Sequence, residues 1–162
     1  MTFTLLRLLM LMALAVAIMT VGVLFLLKIM VRSAPKDIQE IILKRPDDPK
    51  WKTAVGFLLM AVLFAGVIGL FVWEASDARR AGLGLGQTFL RFLILLDGYK
   101  LFDMVFFDWI VLTKLNIFQK VAPETVGCKG YESFGFNLKS QIIKLFVFAG
   151  LALVTAALVT RV

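Results

Sequence analysis

The sequence predicts an all-α integral membrane protein with four transmembrane helices and a short amphipathic interfacial helix in its first loop. Hydrophobic residues make up 60% of the 162 positions, against about 45–50% in soluble domains. Apolar runs of roughly the ~20 residues that one membrane span requires recur along the chain. Basic residues gather in alternate loops, as in membrane proteins generally. We therefore expect a single transmembrane domain over 1–162, with spans at about 5–31, 53–73, 92–116 and 140–160.

The first span begins close to the N-terminus. Its apolar run continues well past an Ala-rich stretch that resembles the end of a signal peptide, so we expect a retained helix rather than a cleaved segment. Arg7 and Lys28 lie near its two ends, where long basic side chains extend to the membrane surface.

The first loop, 32–52, carries a local helical pattern. Pro35 suits a helix start, and Ile38, Ile41 and Ile42 fall on one face of a helix. This pattern predicts a short amphipathic helix that lies on the membrane surface. The alternative is an ordinary solvated loop.

The second span, 53–73, contains no charged residue. Ala61, Ala65 and Gly69 follow one another at intervals of four, which is typical of a face where helices approach closely. The sequence leaves open whether the contact is internal or between subunits. The following segment, which contains Arg79 and Arg80, is predicted to be a flexible loop leading into the third span.

The third span contains four charged residues, Asp97, Lys100, Asp103 and Asp108. Thirteen Leu, Ile, Phe and Val residues between 92 and 112 favour insertion by roughly −4 to −8 kcal/mol. Four central charges would cost about 10–14 kcal/mol. Such a helix is unfavourable alone in lipid, so its charges require neutralisation or protein neighbours.

The spacing of these charges indicates how they are neutralised. Lys100 stands three residues from both Asp97 and Asp103, which places it between them on a helix. If Asp97-Gly98 instead breaks the run, the span shifts to 99–118, and Asp103 and Asp108 stay inside the membrane under both placements. A polar lock between helices or subunits is one interpretation, a site for a bound or transported proton or cation is a second, and catalysis is a third.

The fourth span, 140–160, presents Ala149, Ala152 and Ala156 as a second small-residue face. The loop before it contains the aromatic residues Tyr131, Phe134 and Phe136, which predict a segment that folds back onto the membrane surface.

The distribution of basic residues predicts the orientation. Ten of the eleven lysines lie in loops 32–52 and 117–139 or at the span ends that border them. Both loops are therefore predicted to be cytoplasmic in a multi-pass cell-membrane protein, with both termini outside. The net charge of +7 reflects this bias, so we expect the lipid bilayer as a partner and no nucleic acid.

The chain contains no histidine and one cysteine, Cys128. These counts exclude a disulfide within the chain and Ser-His-Asp catalysis. We predict no metal or cofactor, and we interpret Cys128 as a residue without a chemical role.

Three classes of function remain. The first is a non-enzymatic subunit, scaffold or small carrier that assembles, as a homo-oligomer or in a larger membrane complex, through helix packing and the charges of the third span. The second is a proton- or cation-coupled transporter that uses Asp103 or Asp108. The third is a membrane-embedded enzyme acting on a lipid or lipid-linked substrate, whose anionic headgroup would be held by Arg79, Arg80 or Arg91.

Overall fold

The computed structural model describes residues 1–115, 117–132 and 138–161, and among these residues it contains helices and no strand. The α-helices are α1 (Thr2–Phe25), α2 (Leu27–Met30), α3 (Lys36–Leu43), α4 (Lys50–Arg80), α5 (Leu85–Phe102), α6 (Ile117–Val121) and α7 (Leu138–Arg161). A π-helix covers Asp103–Lys114, and 3₁₀ turns cover Val31–Ser33, Pro123–Thr125 and Lys129–Glu132.

Three helices, α1, α4 and α7, are long and apolar enough to cross a membrane. They correspond to the first, second and fourth predicted spans. The third predicted span does not form one long apolar α-helix. Its α-helical part, α5, carries Arg91, Asp97 and Lys100 and passes into the π-helix at Asp103. The all-helical fold is therefore confirmed, whereas the fourth crossing stays a prediction.

The first helix is shorter at its C-terminal end than the apolar run predicts. Leu26, with φ −131° and ψ 34°, leaves the helical conformation, and the chain continues in α2. Gly22 allows this change of course, because a Cβ at this position would lie 2.6 Å from Cγ of Met30. Hydropathy alone missed the break because the residues on both sides are apolar.

The second long helix extends beyond the predicted span, and the loop predicted after residue 73 is largely wrong. α4 continues to Arg80 and ends in a Schellman motif. The N–H of Gly82 donates to the carbonyl of Arg79, and the N–H of Leu83 donates to that of Ala78. Gly82 has φ +59°, a conformation that glycine adopts without strain.

The chain divides into two compact units. Unit 1 comprises 1–15, 64–103 and the described residues of 137–162. Its core forms where α5 packs along α7. Ala152 and Ala156 are fully buried there, and Phe92 stacks on Phe71 with ring centroids 6.3 Å apart. The small-residue face of the fourth span is thus an internal packing surface.

Unit 2 comprises 16–63 and the described residues of 104–136. The predicted helix in the first loop is confirmed as α3, and its Ile38 and Ile42 are fully buried. These side chains pack against protein, in a cluster that includes Phe118, Ala122 and Tyr131. The prediction that α3 lies with its apolar face on the membrane surface is therefore wrong. Tyr131 of the third loop packs in this cluster with Ile38 and Ile42. Phe134 and Phe136, the other aromatic residues of that loop, lie outside the described residues.

The small-residue stripe of α4 has a different environment. Ala61, Ala65 and Gly69 are all exposed, and a Cβ at Gly69 would meet no atom within 4 Å among the described residues. The stripe is therefore not an internal contact of the described chain.

Candidate functional site

Three helices of unit 1 bring charged residues together. The helix α4 continues beyond its apolar run to Arg80. This extension contains Glu74 and Asp77, which lie about one turn apart near the C-terminal end of the helix. Arg91 follows in α5, beyond the short connection that begins at Gly82. Arg7 projects from the first part of α1. We call Arg7, Glu74, Asp77 and Arg91 the four-charge cluster.

The geometry of the four-charge cluster is that of a mutual ion-pair network. Nη1 of Arg7 lies 2.5 Å from Oε2 of Glu74 and 3.2 Å from Oδ2 of Asp77. Nη1 of Arg91 lies 3.4 Å from Oε1 of Glu74 and 3.3 Å from the same Asp77 oxygen. The hydroxyl of Thr4 donates to Oε1 of Glu74 at 3.1 Å. Each carboxylate therefore contacts both arginines.

The formal charges of the cluster sum to zero, and Arg7 and Glu74 are its most deeply buried members. The side chains of Arg7 and Glu74 are 4% and 0% exposed, whereas that of Asp77 is 37% exposed. Arg7 also lies over the indole of Trp73, with Cζ 4.7 Å from the ring centroid, which is cation–π geometry. Buried charges are tolerated when they are paired and hydrogen-bonded in this way.

Sequence reasoning did not identify this cluster. We expected Arg7 to extend to the membrane surface and assigned Glu74 and Asp77 to a flexible loop. A signal for the cluster is nevertheless present in the sequence. Two acidic residues three apart directly follow the apolar run of span two, and Arg91 follows a short Gly-rich connection. Helix-forming residues between 74 and 80 indicate that the helix continues past the apolar run.

The three arginines proposed to hold an anionic headgroup have different surroundings. Arg91 is engaged by two carboxylates of the cluster. Nε of Arg79 donates to the carbonyl oxygen of Val159, near the end of α7, at 3.2 Å. Arg80 is exposed. The structure does not bring the three guanidinium groups together on one anion.

Within the third predicted span, Lys100 is buried and its ammonium pairs with the carboxylate of Asp103. The i,i+3 spacing predicts this contact. The described ion pairs of the chain do not include one between Lys100 and Asp97. Oδ1 of Asp97 is instead buried, and no described residue donates a hydrogen bond to it.

Asp108 belongs to the π-helix rather than to an α-helical span. It is exposed. The backbone there forms i→i+5 hydrogen bonds, as between the N–H of Leu115 and the carbonyl of Ile110 at 2.8 Å. Such helices are rare beyond one turn, and hydrophobic periodicity does not reveal them.

No group of three or more Asp, Glu, Cys or His side chains with metal-binding geometry occurs among residues 1–115, 117–132 and 138–161. Burial raises the pKa of the Cys128 thiol, and the nearby Asp37 contributes to this rise. The reactive thiolate is therefore disfavoured at neutral pH.

Comparisons with protein families, with curated proteins and with solved structures found no match to this chain. The residues of this chain are therefore the basis for inferring its function, and the four-charge cluster is the most important of them.

Proposed function

We propose that this chain is a multispanning integral membrane protein that acts as a non-enzymatic subunit, scaffold or small carrier in a membrane assembly. One observation carries the proposal. In unit 1, the members of the four-charge cluster form ion pairs with one another, and so do Lys100 and Asp103. This is the arrangement that a structural lock between helices requires, because pairing offsets part of the cost of charges in lipid.

Unit 2 supports four crossings rather than three. Loop 32–52, which precedes span two, packs in this unit against loop 117–139, which follows span three. Arg45 is bonded to Glu124, and the N–H of Gly130 donates to Asp37 at 2.8 Å. These two loops must lie on one side of the membrane. If α4 crosses, the chain must cross again between residues 80 and 117 to return. The helical stretch 85–114 is the segment available for this second crossing.

A common side for loops 32–52 and 117–139 agrees with the orientation predicted from the lysines. We propose that loops 32–52 and 117–139 are cytoplasmic and that both termini lie outside. The contact of Arg79 with Val159 supports a common side for the end of α4 and the end of α7.

The exposed stripe of α4 supports an assembly role. Ala61, Ala65 and Gly69 are exposed, a Cβ at Gly69 would meet no atom within 4 Å among the described residues, and small residues allow a second helix to approach closely. Wild-type protein should migrate as an oligomer or complex in blue-native electrophoresis. Ala65→Leu should shift it toward the monomer, whereas Ala13→Leu, at an exposed alanine of α1, should not. A monomeric wild-type protein with no co-purifying partner contradicts the assembly role.

Membrane integration needs its own test. The protein should stay in the membrane pellet after alkaline carbonate extraction, since three apolar helices of this length do not detach as peripheral proteins do. Release into the supernatant contradicts the proposal at its first step.

A second candidate, a proton- or cation-coupled carrier, is favoured by Asp97 rather than by Asp103 or Asp108. A buried carboxylate oxygen without a hydrogen-bond donor is costly when ionised, and a bound proton or cation would remove this cost. In proteoliposomes, Asp97→Asn should abolish a pH-dependent flux. Flux that persists in this variant excludes Asp97 from the transport step.

A further inference from the structure

Unit 2 contains a cavity of about 490 Å³ that the charges of unit 1 do not involve. Its volume lies in the range of small-ligand sites, which is about 300–1,000 Å³. The walls come from the end of α1, from α2, from the segment between α3 and α4, and from the first turn of α4. The lining residues are Val23, Leu24, Leu27, Lys28, Arg45, Pro46, Asp47, Asp48, Pro49, Lys52 and Val121.

The cavity is amphipathic. Val23, Leu24, Leu27 and Val121 give it an apolar wall, and three basic side chains stand opposite two aspartates. The charges of the lining therefore sum to +1. A ligand that matches this surface has an anionic group beside an apolar part.

Two of the three basic residues, Lys28 and Lys52, are held in ion pairs that an incoming anion could replace, whereas Arg45 is bonded to Glu124 and to the carbonyl of Val121. Nζ of Lys28 lies 2.5 Å from Oδ1 of Asp47, whose side chain is 92% exposed. Nζ of Lys52 lies 2.7 Å from Oδ1 of Asp48. Exposed pairs of this kind contribute about 0–1 kcal/mol. A phosphate group that contacts both ammonium groups at once would accept charge-assisted hydrogen bonds from two cations, whereas each aspartate pairs with only one of them.

The N-terminus of α4 provides a second, independent attraction for an anion. Pro49 and Lys52 both line the cavity, and the N–H of Lys52 already donates to the carbonyl of Pro49. The first turn of this 31-residue helix carries the positive end of the helix dipole.

The position of the cavity along the chain fits the membrane–water interface. Lys28 follows the apolar run of α1, and Lys52 precedes that of α4. Trp51 is exposed beside it, as aromatic residues are at interfaces. Phosphate groups of lipids are concentrated at this depth.

We infer that this cavity binds an anionic phosphate group between Lys28, Arg45 and Lys52, with the apolar part of the ligand against the wall formed by α1 and α2. The phosphate belongs either to the headgroup of an anionic lipid or to a soluble phosphate ester. The inference does not depend on the assembly role proposed above.

Thermal unfolding of the full chain in neutral detergent tests the inference. Phosphatidylglycerol, phosphatidylcholine and inorganic phosphate are added separately at matched ionic strength. Ligand at a hundredfold excess over its Kd should raise Tm by about 5–10 °C. Phosphatidylglycerol without an effect of inorganic phosphate identifies a lipid, and equal effects identify a soluble phosphate. Phosphatidylcholine should change little.

The matched variants are Lys28→Gln/Lys52→Gln, in the cavity, and Lys36→Gln/Lys44→Gln, at exposed positions outside its lining. Both remove two positive charges from the same loop region. The rise in Tm should disappear in the first variant and persist in the second. Native mass spectrometry should show a matching loss of bound ligand in the first variant. A Tm rise and a bound fraction that are equal in both variants, or no response of the wild type to either phosphate source, overturn the inference.

Discussion

Nη1 of Arg7 lies 2.5 Å from Oε2 of Glu74, although 67 residues separate them in the chain, and both side chains are almost completely buried. This contact joins the first part of α1 to the last part of α4. It is the most strongly desolvated ion pair of the described chain, and it sets the energetic consequences of substitutions in unit 1.

Removing one member of this pair should destabilise the protein strongly. Glu74→Gln leaves Arg7 buried with Asp77 alone and should cost about 3–5 kcal/mol of unfolding free energy. The exposed Arg80→Ala should change it by less than about 0.5 kcal/mol. Thermal unfolding followed by circular dichroism in detergent measures both.

Replacing both members should be much less harmful than replacing one. In Arg7→Met/Glu74→Leu, the remaining Arg91 and Asp77 still balance each other, and no charge is left without an opposite partner. A double variant that is as unstable as Glu74→Gln contradicts the view that uncompensated charge causes the loss.

Glycine at position 130 should be irreplaceable. A Cβ there would lie 2.5 Å from Cβ of Pro35 and 2.6 Å from Oδ1 of Asp37. Gly130→Ala should therefore destabilise unit 2 by about 1–3 kcal/mol through overpacking. Gly150→Ala, in the interior of α7 with no atom within 4 Å among the described residues, should instead stabilise the helix by about 0.5–1 kcal/mol. Equal effects of the two substitutions contradict the packing of α3 against the third loop.

The two small-residue faces should respond oppositely to a larger side chain. Ala152 is fully buried between α7 and its neighbours, so Ala152→Leu should cost about 1–3 kcal/mol. Ala65→Leu enlarges an exposed position and should leave the unfolding midpoint of the monomer unchanged. Urea titration of both variants in detergent provides the comparison.

Acid should weaken unit 2 through Glu124. The guanidinium of Arg45 lowers the pKa of this carboxyl below its ordinary 4.5. A lowered folded-state pKa contributes stability above about pH 4.5, and this contribution is lost as the pH falls through the folded-state value. Wild type should therefore be more stable than Glu124→Gln at pH 7, and the difference should shrink as the pH falls below 4.5 and through the lowered folded-state pKa of Glu124. If the difference persists at low pH, the loss of stability in Glu124→Gln comes from packing instead of charge.

Labelling in intact cells tests the four crossings. In a Cys128→Ser background, an impermeant maleimide added outside should label Arg80→Cys and should not label Asp47→Cys or Glu132→Cys, all of which are exposed positions. Three crossings would place Asp47 and Glu132 on opposite sides. Labelling of one of these two positions without the other therefore contradicts the topology.

The sequence predicts well those features that depend on apolar composition and helical periodicity. The run 53–73 marks the part of α4 that is apolar enough to cross a membrane, and the isoleucines of the first loop mark the buried face of α3. Hydropathy does not mark where a helix ends, because the segment 74–80 has low hydropathy although its Glu, Ala and Arg residues favour helix. The loop assignment failed there, and with it the location of two members of the four-charge cluster.

Local spacing predicts contacts within one helix better than contacts between helices. It correctly pairs Lys100 with Asp103 at i,i+3, but it also offers Asp97 to the same lysine. One ammonium need not contact both carboxylates, and the packing of unit 1 decides between them. Likewise, the sequence contains no sign of the i→i+5 backbone after Asp103, because the hydrogen-bond register of a helix is not written in its hydrophobic pattern.

The distance in sequence between Arg7 and Glu74 also constrains how the protein is made. At about 5–20 residues per second, several seconds pass between the synthesis of these two residues. During that interval Arg7 has none of its later carboxylate partners, and its charge must stay in contact with water or headgroups at the end of α1. We therefore expect membrane insertion of this protein to occur in two stages. In the first, α1 lies at a shallow depth; in the second, α4 inserts and Arg7 becomes buried against its carboxylate partners.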